Sequence, residues 1–177
     1  MVPSKILFVN NIKSALADFF SSNNYTKVGI LVDENTEKLC LPSIINNNES
    51  NDFLILKIKS GEKNKNINSC IKIWGELTNN KFDRNSLIIN LGGGVITDMG
   101  GFIAATYKRG IDFINIPTTL LAQVDASVGG KLGIDFNSYK NQIGVFKESK
   151  FTFIDTKFLL TLSKRELNSG YAEIIKH

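Results

Sequence analysis

Short apolar runs alternate along this chain with helical stripes, and that alternation constrains the fold more than any other feature. Lys5 to Val9, Lys27 to Val32, Phe53 to Ile58, Ser86 to Asn90, Asp112 to Ile116 and Phe151 to Ile154 read as strands. Between them, Ile12, Leu16, Phe19 and Phe20 recur at helical spacing, as do Ile67, Ile71, Trp74 and Leu77. Val95 to Tyr107 reads as a third helix, packed closely through Gly100, Gly101, Ala104 and Ala105. Apolar strands separated by helices call for a largely parallel sheet covered on both faces. The expected class is α/β, Rossmann-like over roughly the first hundred residues. The stretch from Gly129 to Val145 is expected to be irregular or hairpin-like and to line a cleft.

Composition narrows the function. A chain of 177 residues with 42% hydrophobic and 21% charged residues fits one ordinary globular domain. Its net charge of +4 suits an anionic small molecule. No Lys/Arg run resembles a nucleic-acid tract, so no nucleic-acid partner is expected. Lys63 and Lys65 lie in a polar turn, where a solvated loop is the plain alternative to a functional one. Cys40 and Cys70 form no Cys-x-x-Cys pair and point to a reducing, cytoplasmic compartment. No apolar stretch reaches the ~18 residues of a membrane span, and no leader pattern opens the chain. Asn46-Asn47-Asn48 reads as compositional bias in a loop, and Trp74 as core.

Chemistry-bearing residues concentrate between Asn90 and Asn141. Gly92-Gly93-Gly94 joins a strand to a helix, where backbone N–H groups and the helix dipole favour an anion. The spacing is neither Gly-x-Gly-x-x-Gly nor a Walker A loop, so a tight turn and a pyrophosphate site both remain open. Asp98 follows, as a solvated N-terminal carboxylate or a ligand group. Pro117-Thr118-Thr119 sets two hydroxyls after a strand, to cap the next helix or to bind ribose or phosphate. Asp125 and Lys131 flank Ser127 and Gly129-Gly130, glycines that let an acid and an amine converge. Lys140-Asn141 adds a cation and an amide, and Lys108-Arg109 a further pair of cations. Together they point to a substrate with more than one negative group.

The final helix opens at Ser163-Lys164-Arg165-Glu166, a capping-box pattern, with Leu167, Tyr171, Ile174 and Ile175 as its apolar face. Glu173 and Lys176 share one face, as an ordinary ion pair or a site. Nothing caps the helix before His177, so the chain is expected to be cut short. A zinc site needs three or four ligands, and one histidine does not make it.

These motifs together resemble the dehydroquinate synthase family of sugar phosphate cyclases, from about Asp33 to His177. The similarity is most specific from Leu91 to Asn141, above all in Ile116-Pro117-Thr118-Thr119 and Gln123 to Lys131. Arg165-Glu166-Leu167 and Gly170 to Lys176 are similar to the family segment that leads to its metal. The resemblance implies an NAD-binding domain over residues 1–161. It also implies that residues 162–177 begin a helical, metal-binding C-terminal domain otherwise absent. Asp33 and Asn35 would meet the adenosine side, and Glu62 and Lys65 the family's Gly-Glu-x-x-Lys motif. Gly93, Gly94, Val95 and Asp98 would cradle the pyrophosphate and nicotinamide ribose. Thr118, Thr119, Lys140, and Phe158 to Thr161 would complete the NAD site. Arg109, Asp125, Lys131, Asn141 and Lys176 match substrate-contacting, catalytic positions, and Glu173 matches a ligand of zinc (or cobalt).

The implied reaction converts 3-deoxy-D-arabino-heptulosonate 7-phosphate to 3-dehydroquinate and phosphate, in the shikimate pathway of aromatic amino acid biosynthesis. A homodimer is the implied full-length form. The chain departs from the family pattern at Thr97, where a Gly is frequent, and at Leu132, where a Thr is. A usual Pro is missing near Lys147 to Lys150. The family's two zinc histidines belong to the C-terminal domain. Another sugar phosphate cyclase and a non-catalytic NAD-binding remnant are the competing readings.

Overall fold

The computed structural model describes residues 5–45, 53–127 and 129–176. Asn46-Asn47-Asn48 and His177 lie outside the described residues, as does Val128. Eight strands and five α-helices lie among the described residues. In chain order these are β1 (Lys5–Phe8), α1 (Ile12–Ser21), β2 (Val28–Val32), α2 (Glu34–Leu39) and β3 (Phe53–Lys57). Then come α3 (Ile67–Asn79), β4 (Leu87–Gly92), α4 (Gly94–Thr106) and β5 (Asp112–Pro117). The remainder is β6 (Lys131–Phe136), β7 (Tyr139–Phe146), β8 (Phe151–Ile154) and α5 (Lys164–Lys176).

Six strands form one parallel sheet in the order β1-β8-β5-β4-β2-β3. The chain winds outward from β2 to β3, crosses back to β4, and winds the other way through β5 to β8. The direction therefore reverses between β2 and β4, and ligands of such sheets sit beyond the carboxyl ends of the strands at that reversal. Two apolar layers flank the sheet. One joins α1 and the α2 region to it through Ile12, Leu16, Phe19, Cys40, Leu41 and Phe153. The other joins α3 and α4 to it through Cys70, Ile73, Leu77, Met99, Phe102 and Ile103. Burial on both faces explains why β4 is apolar at nearly every position rather than at alternate ones.

Local sequence starts the helices. Asn11, Asp33 and Asn66 each accept backbone N–H groups of the first turn on a side-chain oxygen, opening α1, α2 and α3. At Asp33 the box is reciprocal, with Thr36 Oγ1 accepting the Asp33 N–H at 3.0 Å. Ser163 accepts the Glu166 N–H at 3.3 Å, so the serine half of the expected capping box opens α5.

α4 lies between the sheet and the antiparallel hairpin β6–β7, whose Leu132 and Ile134 join the same apolar layer. Coverage on both sides explains why α4 carries so little polar surface. The hairpin turns through Asn137 (φ 48°) and Ser138 (φ 67°), the two left-handed residues of a tight two-residue hairpin loop. A bulge interrupts its register between Ile134 and Phe136.

The strand expectations hold to within a residue or two, with three adjustments. β4 runs on through Gly92, so the turn begins at Gly93. Pro117 is the last residue of β5, on the end that needs no further ladder donor. The segment after it winds into a π-helical turn, Ala122–Ala126. Trp74 packs against the apolar layer and donates Nε1–H to the Ile103 carbonyl at 3.3 Å, as a core residue. Leu167, Tyr171, Ile174 and Ile175 do not form a buried face. Tyr171 is 56% and Ile175 83% exposed, and α5 touches the domain through buried Gly170 instead. No helix among the described residues is long and apolar enough to cross a membrane.

Candidate functional site

The β4–α4 turn sits at the carboxyl edge of the sheet. Gly93 caps α4 from an extended conformation, and the Ile96 and Thr97 N–H groups return to its carbonyl. A Cβ at Gly93 would lie 2.9 Å from Thr119 Cγ2, so glycine lets the ends of β4 and β5 close together here. Thr119 Oγ1 accepts the Ala122 N–H at 3.2 Å, so its hydroxyl does cap the following turn. Thr118 is buried beside it, with its N–H donated to the Gly92 carbonyl. Thr97 turns its hydroxyl back to the Gly94 carbonyl at 3.3 Å and is buried, so its extra atoms stay out of the turn.

Two plain alternatives from the sequence are overturned. Lys65 is not in a solvated loop: it is 3% exposed. Its Nζ donates to Asp98 Oδ2 and to Asn141 Oδ1, both at 2.6 Å. Nor is Asp98 a solvated helix-end carboxylate, for its side chain is 17% exposed. Burial pushes the Asp98 carboxyl above its ordinary range, and the Lys65 charge opposes that shift. Glu62 and Lys140 pair above them at 3.2 Å, on the exposed side of the same junction. The hairpin and the Gly61–Lys65 loop are thus joined by side chains from both.

Asp98, Asp125, Lys131 and Asn141 line one cleft of about 470 Å³ between α4, the π-helical turn and the hairpin. Gln123, given no role from sequence, ties this turn down: its Nε2 donates to the Pro117 and Asp155 carbonyls at 3.1 and 3.2 Å. A buried amide beside Ala122 and Val124 ties the turn to the sheet edge. α5 lies against the same turn. Lys176 pairs with Glu173 at 2.9 Å, and the Glu173 carboxylate, with Asp125 further off, pushes the Lys176 ammonium up.

Asp33 and Asn35 stand at the carboxyl end of β2, with Asp33 Oδ1 accepting the Asn35 and Thr36 N–H groups. Phe158 is buried in the apolar layer after β8, and Thr161 Oγ1 donates to its carbonyl at 3.1 Å. Arg109 does not join the others. It precedes β5, at the opposite edge of the sheet, and lines an open depression with Asp83, Arg84, Asn85 and Lys108. The short loop from α4 to β5 fixes that position, with Arg109 at φ 70°.

The residues fit the two implied groups unequally. A glycine turn at a helix N-terminus beside a sheet reversal suits a dinucleotide. For a metal, no group of three or more His, Cys, Asp or Glu is found among the described residues, so Glu173 has no complete ligand set there.

A glycine turn at the carboxyl edge, beside the reversal of a doubly wound sheet, defines a Rossmann-like α/β ligand-binding domain. The sequence narrows this further: residues 55–169 match the family model described as 3-dehydroquinate synthase N-terminal, and the chain belongs to that family. The 3-dehydroquinate synthase of Parabacteroides distasonis is 50% identical over 177 residues, covering 100% of this chain and 50% of that protein. A 2-epi-5-epi-valiolone synthase from Streptomyces hygroscopicus, solved with NAD+ and Zn2+ bound, superposes with TM-score 0.88 at 29% identity. That match covers 99% of this chain and 49% of the other. A 2-deoxy-scyllo-inosose synthase complexed with carbaglucose-6-phosphate, NAD+ and Co2+ shares the fold. Its TM-score is 0.87 at 22% identity, over 97% of this chain and 48% of that one. The chain thus spans about half the length of the relatives it matches.

Proposed function

We propose that this chain supplies the NAD-binding half of a 3-dehydroquinate synthase, which converts 3-deoxy-D-arabino-heptulosonate 7-phosphate to 3-dehydroquinate and phosphate. The carrying observation is the convergence of Asp98, Asp125, Lys131 and Asn141 on one cleft beside the Gly93 turn. In this reading the N–H groups at Gly93, Gly94 and Val95 hold the pyrophosphate, and Thr118 and Thr119 border it. Asp33 and Asn35 take the adenosine side, and Glu62, Lys65, Asp98 and Lys140 the nicotinamide side. Phe158 and Thr161 close the site.

Bound NAD supplies transient oxidation of a ring alcohol and its reversal, without net consumption. The protein's part is to bind, orient and hold charge. Lys131 and Lys176 meet the substrate's phosphate and carboxylate, Asn141 donates from its amide, and Asp125 accepts from ring hydroxyls. Glu173 would be one ligand of a zinc or cobalt ion whose other donors lie outside the described residues. Arg109 stands apart from this cleft within one chain. We read the full-length protein as a cytoplasmic homodimer. Cys40 and Cys70 are free and buried, with thiols pushed up to about 11 and about 12, which suits a reducing compartment.

The test is phosphate release from a panel of sugar phosphates, with NAD and zinc, by the chain together with a relative's C-terminal half. Release from the heptulosonate phosphate supports the reading. Release only from another sugar phosphate assigns another cyclase, and NAD binding without any release indicates a binding module.

A further inference from the structure

The geometry points to Asp135 as a positioning residue that holds Asn141 for the cleft, an inference that rests on the proposed function. Asn141 has φ 51°, a left-handed conformation that asparagine enters more readily than other residues with a Cβ, and here a neighbouring side chain fixes it. Asp135 Oδ1 accepts the Asn141 backbone N–H at 2.8 Å, across the tip of the hairpin. Asp135 is itself fixed at the bulge of β6, where its own N–H donates to the Lys65 carbonyl at 2.8 Å instead of to β7. A bridge between Asn66 and Asp135 continues this contact.

The clamp also settles the side chain. Lys65 Nζ can only donate, so the atom of Asn141 that faces it at 2.6 Å is the carbonyl oxygen. The Nδ2 donor is then the group that Asn141 offers to the cleft it lines. Lys65 therefore holds Asn141 twice, by its ammonium directly and by its carbonyl through Asp135. Asp135 lines no part of that cleft, so its role is to act through Asn141.

The experiment compares Asp135→Ala and Asp135→Asn in the full-length protein. Four quantities are read: hydrogen exchange of the Asn141 amide, NAD affinity, Tm, and kcat/KM for the heptulosonate phosphate. Asp135→Ala is expected to remove the protection of the Asn141 amide and to lower kcat/KM by about tenfold, the effect of one lost hydrogen bond. NAD affinity should stay within about threefold of the parent. Asp135→Asn keeps an acceptor oxygen and should restore both protection and kcat/KM. Equal loss in the Asn and Ala variants would overturn the proposal, as would unchanged Asn141 exchange in Asp135→Ala. A parallel fall of NAD affinity and thermal stability would also overturn it, since Asp135 would then be structural. If the parent protein releases no phosphate from the heptulosonate phosphate, the functional reading fails. The exchange comparison then still decides whether Asp135 holds Asn141.

Discussion

At the scale of the residue, the buried Lys65–Asp98 pair is the sharpest test of the site. Lys65→Met leaves a buried carboxylate without its countercharge, which costs about 3 kcal/mol. The sign of its pH dependence follows from the raised Asp98 carboxyl. The unfolded chain gives up that proton first, so the Asp98 contribution turns unfavourable as pH rises through the ordinary value of 3.8 toward the folded one. Without Lys65 the rise is larger. Urea midpoints should show a small deficit for Lys65→Met in acid and the full deficit near neutrality, with most of it recovered in Lys65→Met/Asp98→Leu. An equal deficit at both pH values would mean that Asp98 is neutral in the parent fold. Lys131→Ala, at an exposed position on the cleft, is expected to lower kcat/KM by about 10–100-fold, the range for a charge-assisted hydrogen bond. Calorimetry should find NAD affinity nearly unchanged; an equal loss of both would move Lys131 to the cofactor. The glycine turn and the hydroxyls after β5 were legible in the sequence because each depends on neighbours a few residues away. The burial of Lys65 was not, because Asn141, which completes its cage, lies 76 positions later. Arg109 is the converse case: it is near the motifs in sequence, and one helix length carries it to the other edge of the sheet within this chain.

At the scale of the element, α5 depends on one glycine. A Cβ at Gly170 would fall 2.5 Å from Leu120 Cβ and 2.8 Å from the Leu121 backbone nitrogen. A neighbouring backbone cannot rotate aside as a side-chain tip can, so Gly170→Ala should push α5 off the turn that carries Asp125. Local propensity predicts the opposite, since alanine favours helix over glycine by about 1 kcal/mol. Docking wins if α5 amides exchange faster in Gly170→Ala than in the parent, while α1 to α4 keep their rates. Slower exchange in α5 would show that propensity governs this helix and that its contact with the domain is incidental. The strands and long helices were readable because their apolar periods are strong. The π-helical turn and short α2 were not: each is too short to show a period. The apolar stripe on α5 was read correctly as a stripe, yet a stripe alone does not say what covers it.

At the scale of the molecule, two apolar layers on one parallel sheet make a domain whose ligand edge is distinct from its core. Ile30, Leu31, Ile88, Ile89 and Ile114 are fully buried or nearly so, while the cleft residues Asp125, Lys131 and Asn141 are exposed. Binding at the edge should therefore stabilise the domain without remodelling it. NAD at 100 times its dissociation constant adds about 2.7 kcal/mol if it binds only the folded chain. For a domain of this size that raises Tm by roughly 5–10 °C. Zinc is expected to behave differently. With no cluster of three metal-ligating residues among the described residues, zinc or a chelator should leave Tm of these 177 residues unchanged. Thermal unfolding with NAD, with zinc, and with both separates the cases. A shift with NAD alone, matched by NAD plus zinc, places dinucleotide binding in this domain and metal binding elsewhere. A shift with zinc alone would require ligands that the described residues do not bring together, and no shift with NAD would remove the dinucleotide from the Gly93 turn.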